Sequence, residues 1–532
     1  QHGSGKSELS KFMAQHLIDG NGSVSEDKKT KYFRLGSYKN QFISSTTTNN
    51  TTDSKVHDAL IAGMSLLDMF GMAPTSSTYM GARDHHPYSS RHSRMIQIYM
   101  DPQNITNMLG FNITACGLDT IRLKNFKETS FSPFLIFGCL VGSIHTRTNS
   151  NNIGDFVDFK CTPTQCQQVL QHFCNNGLDY DASNSNGDSA ETIAAKELSK
   201  ELEHFKNVLM NGCDLNEEQW MMVLKCLMSI VHMQSVSVSG SDSSPGRIVG
   251  TTNICLTNVE NLLGMGPPGC LNKILSRLET PNPNSTSGLP SITDFKKSEI
   301  IANIDAVCTE IYSRVFTWLL GRINVIGDIN TNSSGGSNSL STPFPINIID
   351  IPGNEHVTDH YSGFSQMYNN TLADKLNNQF SKQCFDDVLN SYREEGIPFN
   401  DDYIVIPNTA PVVNLFEAPT TGLFTIVEDV SALPKGDEKF LIEKMVNLHG
   451  TKNTMLFKVI DRNATDAKSS TGTSIGVGKY GASTASKDAK LSTFFSIKHS
   501  FGLVRYDCDQ FVNINKNYAG VDLMKMIDML GV

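Results

Sequence analysis

Apolar positions recur along this chain with two periods, and the segments where each period holds predict its main elements. Residues 217–233 (EEQWMMVLKCLMSIVHM) are apolar nearly all round and follow Asn216, with Gln219 three residues on, so the pattern predicts a capped helix buried on most sides. From about Ser298 to Ile326, the residues Ile300, Ile301, Ile304, Val307, Ile311, Val315, Leu319 and Ile323 keep helical register. A third long helix is predicted from about Gly363 to Glu394. Near the start, Leu9, Phe12, Met13 and Leu17 form the apolar face of a shorter helix, with Gly20 as its stop. Two strands stand out: MIQIYM (95–100) puts Ile96, Ile98 and Met100 on one face, and PINIID (345–350) is an apolar strand ending on a carboxylate, Asp350. The uncharged run FSPFLIFGCLVGSI (131–144) is too short to span a bilayer and reads as a buried helix.

Four polar, low-complexity stretches interrupt this pattern, at 44–54, within 175–189, at 330–342 and at 468–488. They hold too little apolar surface to order themselves and read as surface insertions between packed elements.

Composition narrows the class. The 532 residues are 39% hydrophobic and 18% charged, the balance of a globular protein with several cores. A net charge of −10 argues against a protein built to bind a nucleic-acid backbone. Twelve cysteines without a regular framework read as reduced thiols in a cytosolic setting. Cys161, Cys166, His172 and Cys174 are close enough in sequence to consider as metal ligands, but their spacing fits no zinc pattern and buried cysteines are the preferred reading. His85, His86 and His92 read as polar loop residues, not ligands. The chain opens on Gln, so an N-terminal targeting segment cannot be read from it.

The candidate chemistry sits beside the predicted elements. In QHGSGKSE, the residues Gly3, Ser4, Gly5, Lys6, Ser7 and Glu8 match the end of a phosphate-binding loop that opens a helix. Glycines there let backbone N–H groups approach phosphate, Lys6 can reach the β/γ-phosphates, and the Ser7 hydroxyl can ligate Mg²⁺. From these residues alone, a Gly/Ser linker before an ordinary helix stays open. The polar segment HHPYSSRHSR (85–94) precedes the first strand and DIPGNE (350–355) follows the second, and an Asp closing a hydrophobic strand is a Walker-B pattern.

Taken in order, these segments resemble the motor domain of myosin. The family's GESGAGKTE corresponds to QHGSGKSE, ILEAFGNA to LLDMFGMA (66–73), and the switch I motif NxNSSRFGKFIxIHF to HPYSSRHSRMIQIYM (86–100). Switch II, DIxGFE, corresponds to DIPGNE. The relay motif NSFEQLCINYxNEKLQQFFN corresponds to SGFSQMYNNTLADKLNNQFS (362–381) and runs on into YREEGIPF (392–399). PKGDEKFLIEKM (434–445) resembles the helix-loop-helix of the lower actin-facing subdomain, and FSIKHSFGLVRYDCDQFVNINKN (495–517) resembles FxIxHYAGxVxYxxxGFLxKNxD.

The resemblance implies a P-loop α/β core with a central twisted mixed sheet, surrounded by large, mostly helical subdomains. It implies a nucleotide-binding core at 1–130, an upper actin-binding subdomain at 131–345, and switch II, relay helix and lower subdomain at 346–532. ATP and Mg²⁺ are the implied ligands, with Ser7 and Ser90 on the metal, Ser89 on the attacking water or a γ-oxygen, the Gly353 N–H on the γ-phosphate and Asp350 beside the metal site. Arg91 and Glu355 correspond to the pair that bridges the two switches. Departures are His86 and Tyr88 for the switch I asparagines, Pro352 and Asn354 in switch II, and Ser500 and Phe501 in the last motif.

The implied activity is that of an actin-based motor in the cytoplasmic cytoskeleton, with actin filaments as partner, no nucleic acid and no membrane. Light chains would bind a lever region that follows this segment in the family. A catalytically weak, nucleotide-responsive actin tether is the alternative suggested by the altered switches. An unrelated P-loop kinase or GTPase leaves the segments after residue 360 unexplained. Candidate actin-facing segments are Pro434–Asn453 and a loop within 278–297.

Overall fold

The computed structural model describes residues 6–19, 52–74, 88–104, 107–124, 126, 132–149, 154–174, 189–241, 244–280, 291–329, 342–355, 363–398, 408–433, 436–451, 453, 456–459 and 493–515. Gly3, Ser4, Gly5, His85, His86 and nearly all of the four low-complexity stretches lie outside them. The chain divides into two compact units, whose described residues run from 6 to 351 and from 352 to 515.

The larger unit contains helices α1 (Lys6–Asp19), α2 (Thr52–Gly71), α3 (Leu135–Asn149), α4 (Pro163–Cys174), α5 (Ala190–Cys213), α6 (Glu217–Gln234), α7 (Asn253–Leu262), α8 (Cys270–Ser276) and α9 (Lys297–Gly327). The predicted cap of α6 is present: Asn216 Oδ1 accepts from the Gln219 N–H at 2.8 Å and Gln219 Oε1 accepts from the Asn216 N–H at 3.2 Å. The run 131–144 supplies most of α3, whose Leu135, Ile136, Phe137 and Leu140 are buried. An aromatic stack locks α9 into this core. Tyr312 lies against Phe134 with ring centroids 5.2 Å apart, and its hydroxyl donates to the Phe70 carbonyl at 2.8 Å, near the end of α2.

Its main sheet has three strands in the order β4-β3-β9, where β3 is Ser93–Met100, β4 is Met108–Cys116 and β9 is Phe344–Asp350. Ile96, Ile98 and Met100 are buried on one face, as their alternation predicts. The register pairs Ile96 with Ile348 and Arg94 with Asp350 across β3 and β9. A ribbon of β1 (Met72–Pro74) and β2 (Tyr88–Ser90) leads into β3. Two further ribbons are β5 (Val238–Ser239) with β6 (Arg247–Ile248), and β7 (Arg277–Thr280) with β8 (Ser291–Asp294). Every strand pair among the described residues is antiparallel, so the expected mixed sheet shows no parallel pair among them.

The expected apolar face of α1 is met only in part: Leu17 packs half-buried against the core, but two of its members do not. Leu9 and Met13, read as the inward face of α1, are 59% and 48% exposed, whereas Ser10 and Ala14 are buried. The reason is polar anchoring: Ser10 is bonded to Arg94, and Lys11 forms an ion pair with Asp68 of α2. These contacts set the rotation of the helix, overriding its weak apolar pattern.

The smaller unit begins at Pro352, inside the DIPGNE segment, and continues through α10 (Phe364–Ser381), a π-helical turn (Lys382–Asp386) and α11 (Asp387–Glu394), these last three making the predicted long helix. Helices α12 (Ala410–Glu417), α13 (Leu423–Ala432) and α14 (Glu438–His449) follow. A sheet of β10 (Phe457–Val459), β11 (Phe494–His499) and β12 (Gly502–Asp507), then α15 (Phe511–Asn515), closes a second core around Phe416, Ile426, Phe495 and Tyr506.

Candidate functional site

In the larger unit, the segments carrying the candidate chemistry meet at one side chain that the sequence reading did not select. Arg94, 2% exposed, donates from Nε to Asp350 Oδ2 at 2.9 Å and from Nη1 to Asp68 Oδ1 at 3.3 Å. Its Nη2 donates to the Ser7 carbonyl at 3.0 Å and to Ser10 Oγ at 3.1 Å. One guanidinium therefore joins the first turn of α1, the end of α2, the start of β3 and the end of β9. A planar fork of five N–H donors is suited to this, where a lysine ammonium is not. The signal for Arg94 was in the sequence: extending the Ile96, Ile98, Met100 alternation one step back puts residue 94 on the buried face. Its place at the end of the polar segment 85–94 hides that signal.

Asp350 is 4% exposed, and its Oδ1 has no hydrogen-bond partner among the described residues while Oδ2 is held by Arg94. An orphaned, buried carboxylate oxygen is a strong acceptor aimed at something polar. Lys6 and Glu8 lie in the first turn of α1 and Ser7 is half-buried there. Ser89 and Ser90 sit on β2, buried and paired in register with Ala73 and Met72. The Ser90 hydroxyl donates to the His92 carbonyl at 3.2 Å and its oxygen lies 3.4 Å from His92 Nδ1, so even with that contact a lone pair remains to accept or ligate. Hydroxyl oxygens and a carboxylate are the hard donors that Mg²⁺ prefers, so these residues fit that ion.

Arg91 is buried rather than a solvated charge. Its N–H donates to the Gly71 carbonyl at 2.7 Å, its carbonyl accepts from the Asp119 N–H at 3.0 Å, and its Nε lies 3.9 Å from Asp119 Oδ2. His92 departs from the polar-loop reading: it is 1% exposed, with Nδ1 3.4 Å from the Gly71 carbonyl. The ring lies so close to Gly71 that a Cβ there would fall 2.1 Å from Nδ1, which is why glycine follows Phe70. Burial, then the neighbouring Arg94 charge, lowers the imidazole pKa to about 4, so His92 is neutral. Tyr88 is also buried, its ring centroid 6.2 Å from that of Phe173.

In the smaller unit, Gly353 and Glu355 are buried. The Glu355 N–H donates to Asn370 Oδ1 at 2.8 Å, and Asn370 Nδ2 donates back to the Glu355 carbonyl at 2.9 Å. Asn369 Nδ2 lies 3.4 Å from the Glu355 carboxylate. Asn370 Nδ2 also donates to the Tyr506 hydroxyl at 2.8 Å, the Tyr506 O–H faces His499 Nε2 at 2.7 Å, and His499 Nδ1 faces Asp374 Oδ2 at 2.7 Å. The chain of donors assigns the tautomer: Nδ1–H donates to the carboxylate and Nε2 accepts from tyrosine. Burial pushes the Tyr506 phenol up, so it stays a donor. Asn370 and Asp374, four residues apart in the relay segment, share the helix face of the buried Met367, a spacing signal that their polarity obscures.

Of the candidate metal set, His172 Nε2 lies 3.0 Å from the Phe126 carbonyl and Cys174 donates to the Leu170 carbonyl at 3.0 Å. No cluster of three or more His, Cys, Asp or Glu side chains suited to a metal occurs among the described residues. No helix among them is long and apolar enough to cross a membrane.

Known proteins similar in sequence to this chain are myosin heavy chains. Myosin-M heavy chain of Dictyostelium discoideum is 23% identical over 461 residues, covering 84% of this chain and 24% of the relative. Myosin-J heavy chain of the same organism is 21% identical over 527 residues, 97% of this chain and 20% of the relative. Unconventional myosin-IXa of Homo sapiens is 20% identical over 479 residues, 89% and 16% respectively. The chain thus spans 16% to 24% of the length of these curated relatives. The myosin head (motor domain) profile matches residues 1–529, and with its motifs gathered on Arg94 and Asn370 the chain belongs to that family.

Proposed function

We propose that the protein is an ATP-dependent, actin-based motor head of the cytoskeleton that binds and hydrolyses Mg-ATP on a P-loop core. The observation that carries this reading is the buried Arg94–Asp350 pair, whose guanidinium also holds the start of the phosphate-loop helix. Gly3, Ser4, Gly5, Lys6 and Glu8 would bind the phosphates, and Ser7 and Ser90, with Asp350 beside them, would hold Mg²⁺. The metal supplies charge neutralisation on the phosphates. Ser89 would orient the attacking water, the Gly353 N–H would donate to the γ-phosphate, and Arg91 and Glu355 would help to exclude bulk water. Excluding water strengthens each electrostatic contact around the phosphate.

The actin-facing segments would be the α14 region and the β7–β8 ribbon, where Ile292 is 54% and Phe440 44% exposed. Substrate, filament and cellular site rest on family membership together with these residues.

Burial of Tyr88 favours a second reading. A side chain turned into the core against Phe173 cannot offer the polar contact of an asparagine, which suits a nucleotide-responsive tether with little turnover. Steady-state ATP hydrolysis with and without actin filaments, beside Glu355→Ala, separates the two. Turnover that rises with filaments and collapses in the variant supports the motor. ATP binding without turnover in either form supports the tether, and filament binding insensitive to ATP overturns both.

A further inference from the structure

Two thiols left unexplained by the nucleotide chemistry lie side by side in the larger unit. The Cys161 and Cys166 sulfurs are 3.6 Å apart, at van der Waals contact. The chain is turned back on itself just before them, since Lys160 takes a left-handed conformation with φ 47°. Cys166 is then fixed in the first turn of α4: its N–H donates to the Thr162 carbonyl at 3.0 Å, and Thr162 exchanges hydrogen bonds with Gln165. Cys161 is half-buried and reachable from solvent, while Cys166 is 5% exposed behind it.

We propose that Cys161 and Cys166 form an oxidisable dithiol, a modification site that takes a two-electron oxidant of the peroxide class and closes to an intramolecular disulfide. A disulfide has an S–S length of about 2.0 Å, so rotation about χ1 has only ~1.5 Å left to close. In the reaction, one sulfur displaces hydroxide from peroxide as the O–O bond breaks and becomes a sulfenic acid. The neighbouring thiol then attacks that sulfur, and the S–S bond forms as the S–O bond breaks. Two thiol hydrogens and one hydrogen peroxide leave as two waters, with two electrons passing from sulfur to oxygen.

The hydrogen bond from Cys161 lowers the Cys166 thiol pKa, and the backbone N–H of the helix's first turn adds to this against desolvation. Cys161, as the donor, is pushed up in turn. One proton shared between two sulfurs makes the first thiolate easier to form than at an isolated buried cysteine. Cys139 and Cys308 are such isolated cysteines, fully buried, with thiol pKa values raised by desolvation. Cys255 is a third thiol nearby, its sulfur accepting from Gln165 Nε2 at 3.9 Å.

The test is brief exposure of the folded full chain to hydrogen peroxide at a few equivalents, then denaturation, alkylation and peptide mapping without reduction. The expected product is one peptide carrying Cys161 and Cys166, lighter by two hydrogens, unalkylated at both and restored by dithiothreitol, with Cys139 and Cys308 fully alkylated. Circular dichroism before and after keeps oxidation of the native fold distinct from unfolding. In Cys166→Ser, Cys161 is expected to give sulfinic acid or a mixed adduct instead of an internal link. Overturning results are separate alkylation of both thiols at the rate of exposed Cys116, linkage of Cys161 to Cys255, or scrambled pairs appearing only as the fold is lost.

Discussion

Arg94 and Asp350 stand opposite one another in register across β3 and β9, and Arg94 Nε donates to Asp350 Oδ2 at 2.9 Å with both side chains out of solvent. A cross-strand ion pair of this kind ties two sheet strands, but its guanidinium also satisfies a helix carbonyl and a serine on α1. Removing one partner leaves the other as an uncompensated buried charge. Arg94→Met is therefore expected to cost ~3–5 kcal/mol. Arg94→Lys keeps the charge, loses the fork and is expected to recover only part of that. Thermal unfolding of the three proteins checks the order.

The rotation of α1 gives a second prediction. Leu9→Gln and Met13→Gln replace exposed apolar side chains and are expected to change stability by no more than about 0.5 kcal/mol. Ala14→Leu overfills a closed contact and is expected to cost ~1–3 kcal/mol. If the helix instead buried the face that its apolar spacing suggests, the glutamine variants would be the damaging ones. Urea titration of each variant distinguishes the two rotations.

The chain from Glu355 to Asp374 can be cut at its centre. Tyr506→Phe removes the donor to His499 Nε2 and an acceptor for Asn370, leaving buried polar groups unpaired at a cost of ~1–3 kcal/mol. His499→Leu combined with Tyr506→Phe is expected to cost less than the sum of the single changes, because both act in one network. A double-mutant cycle followed by thermal unfolding measures that coupling. Equal and additive losses would mean the two side chains act independently.

What the sequence made legible follows the strength of its periodicity. The helices α6 and α9 and the strands β3 and β9 all had runs of apolar residues in unbroken register, and all formed within a residue or two of the expected ends. Where polar contacts decide, the pattern misled. Ser10 lies inward and Leu9 outward because an arginine from a strand 84 positions away reaches the serine. Arg94 and His92 were read as loop polarity because charge and hydrophilicity predict exposure, yet both are buried, the one neutralised by Asp350 and the other by losing its proton. Asn370 and Asp374 share the helix face of the buried Met367, but their polarity obscures that spacing, and their partners, Glu355 and His499, distinguish them.

The buried imidazole of His92 makes stability depend on acid. Its folded pKa is lowered to about 4 by burial first and by Arg94 second, below the ordinary value of 6.5 that it regains on unfolding. Between those values the unfolded chain binds a proton that the folded chain does not, so stability rises with pH across that window. His92 thus contributes stability that is complete above about 6.5 and is lost as the pH falls toward about 4, with a total of ~3 kcal/mol as the upper bound. Asp350 and Asp68, which oppose Arg94 at this position, soften the effect but do not reverse it. His92→Phe has no proton to take up, and it is the residue that the family motif carries here. The variant is expected to lose less stability than the parent between pH 7 and pH 4.5 while matching or exceeding it at pH 7. Parallel thermal melts across that range check this, and identical slopes for both proteins would show that other groups carry the acid sensitivity.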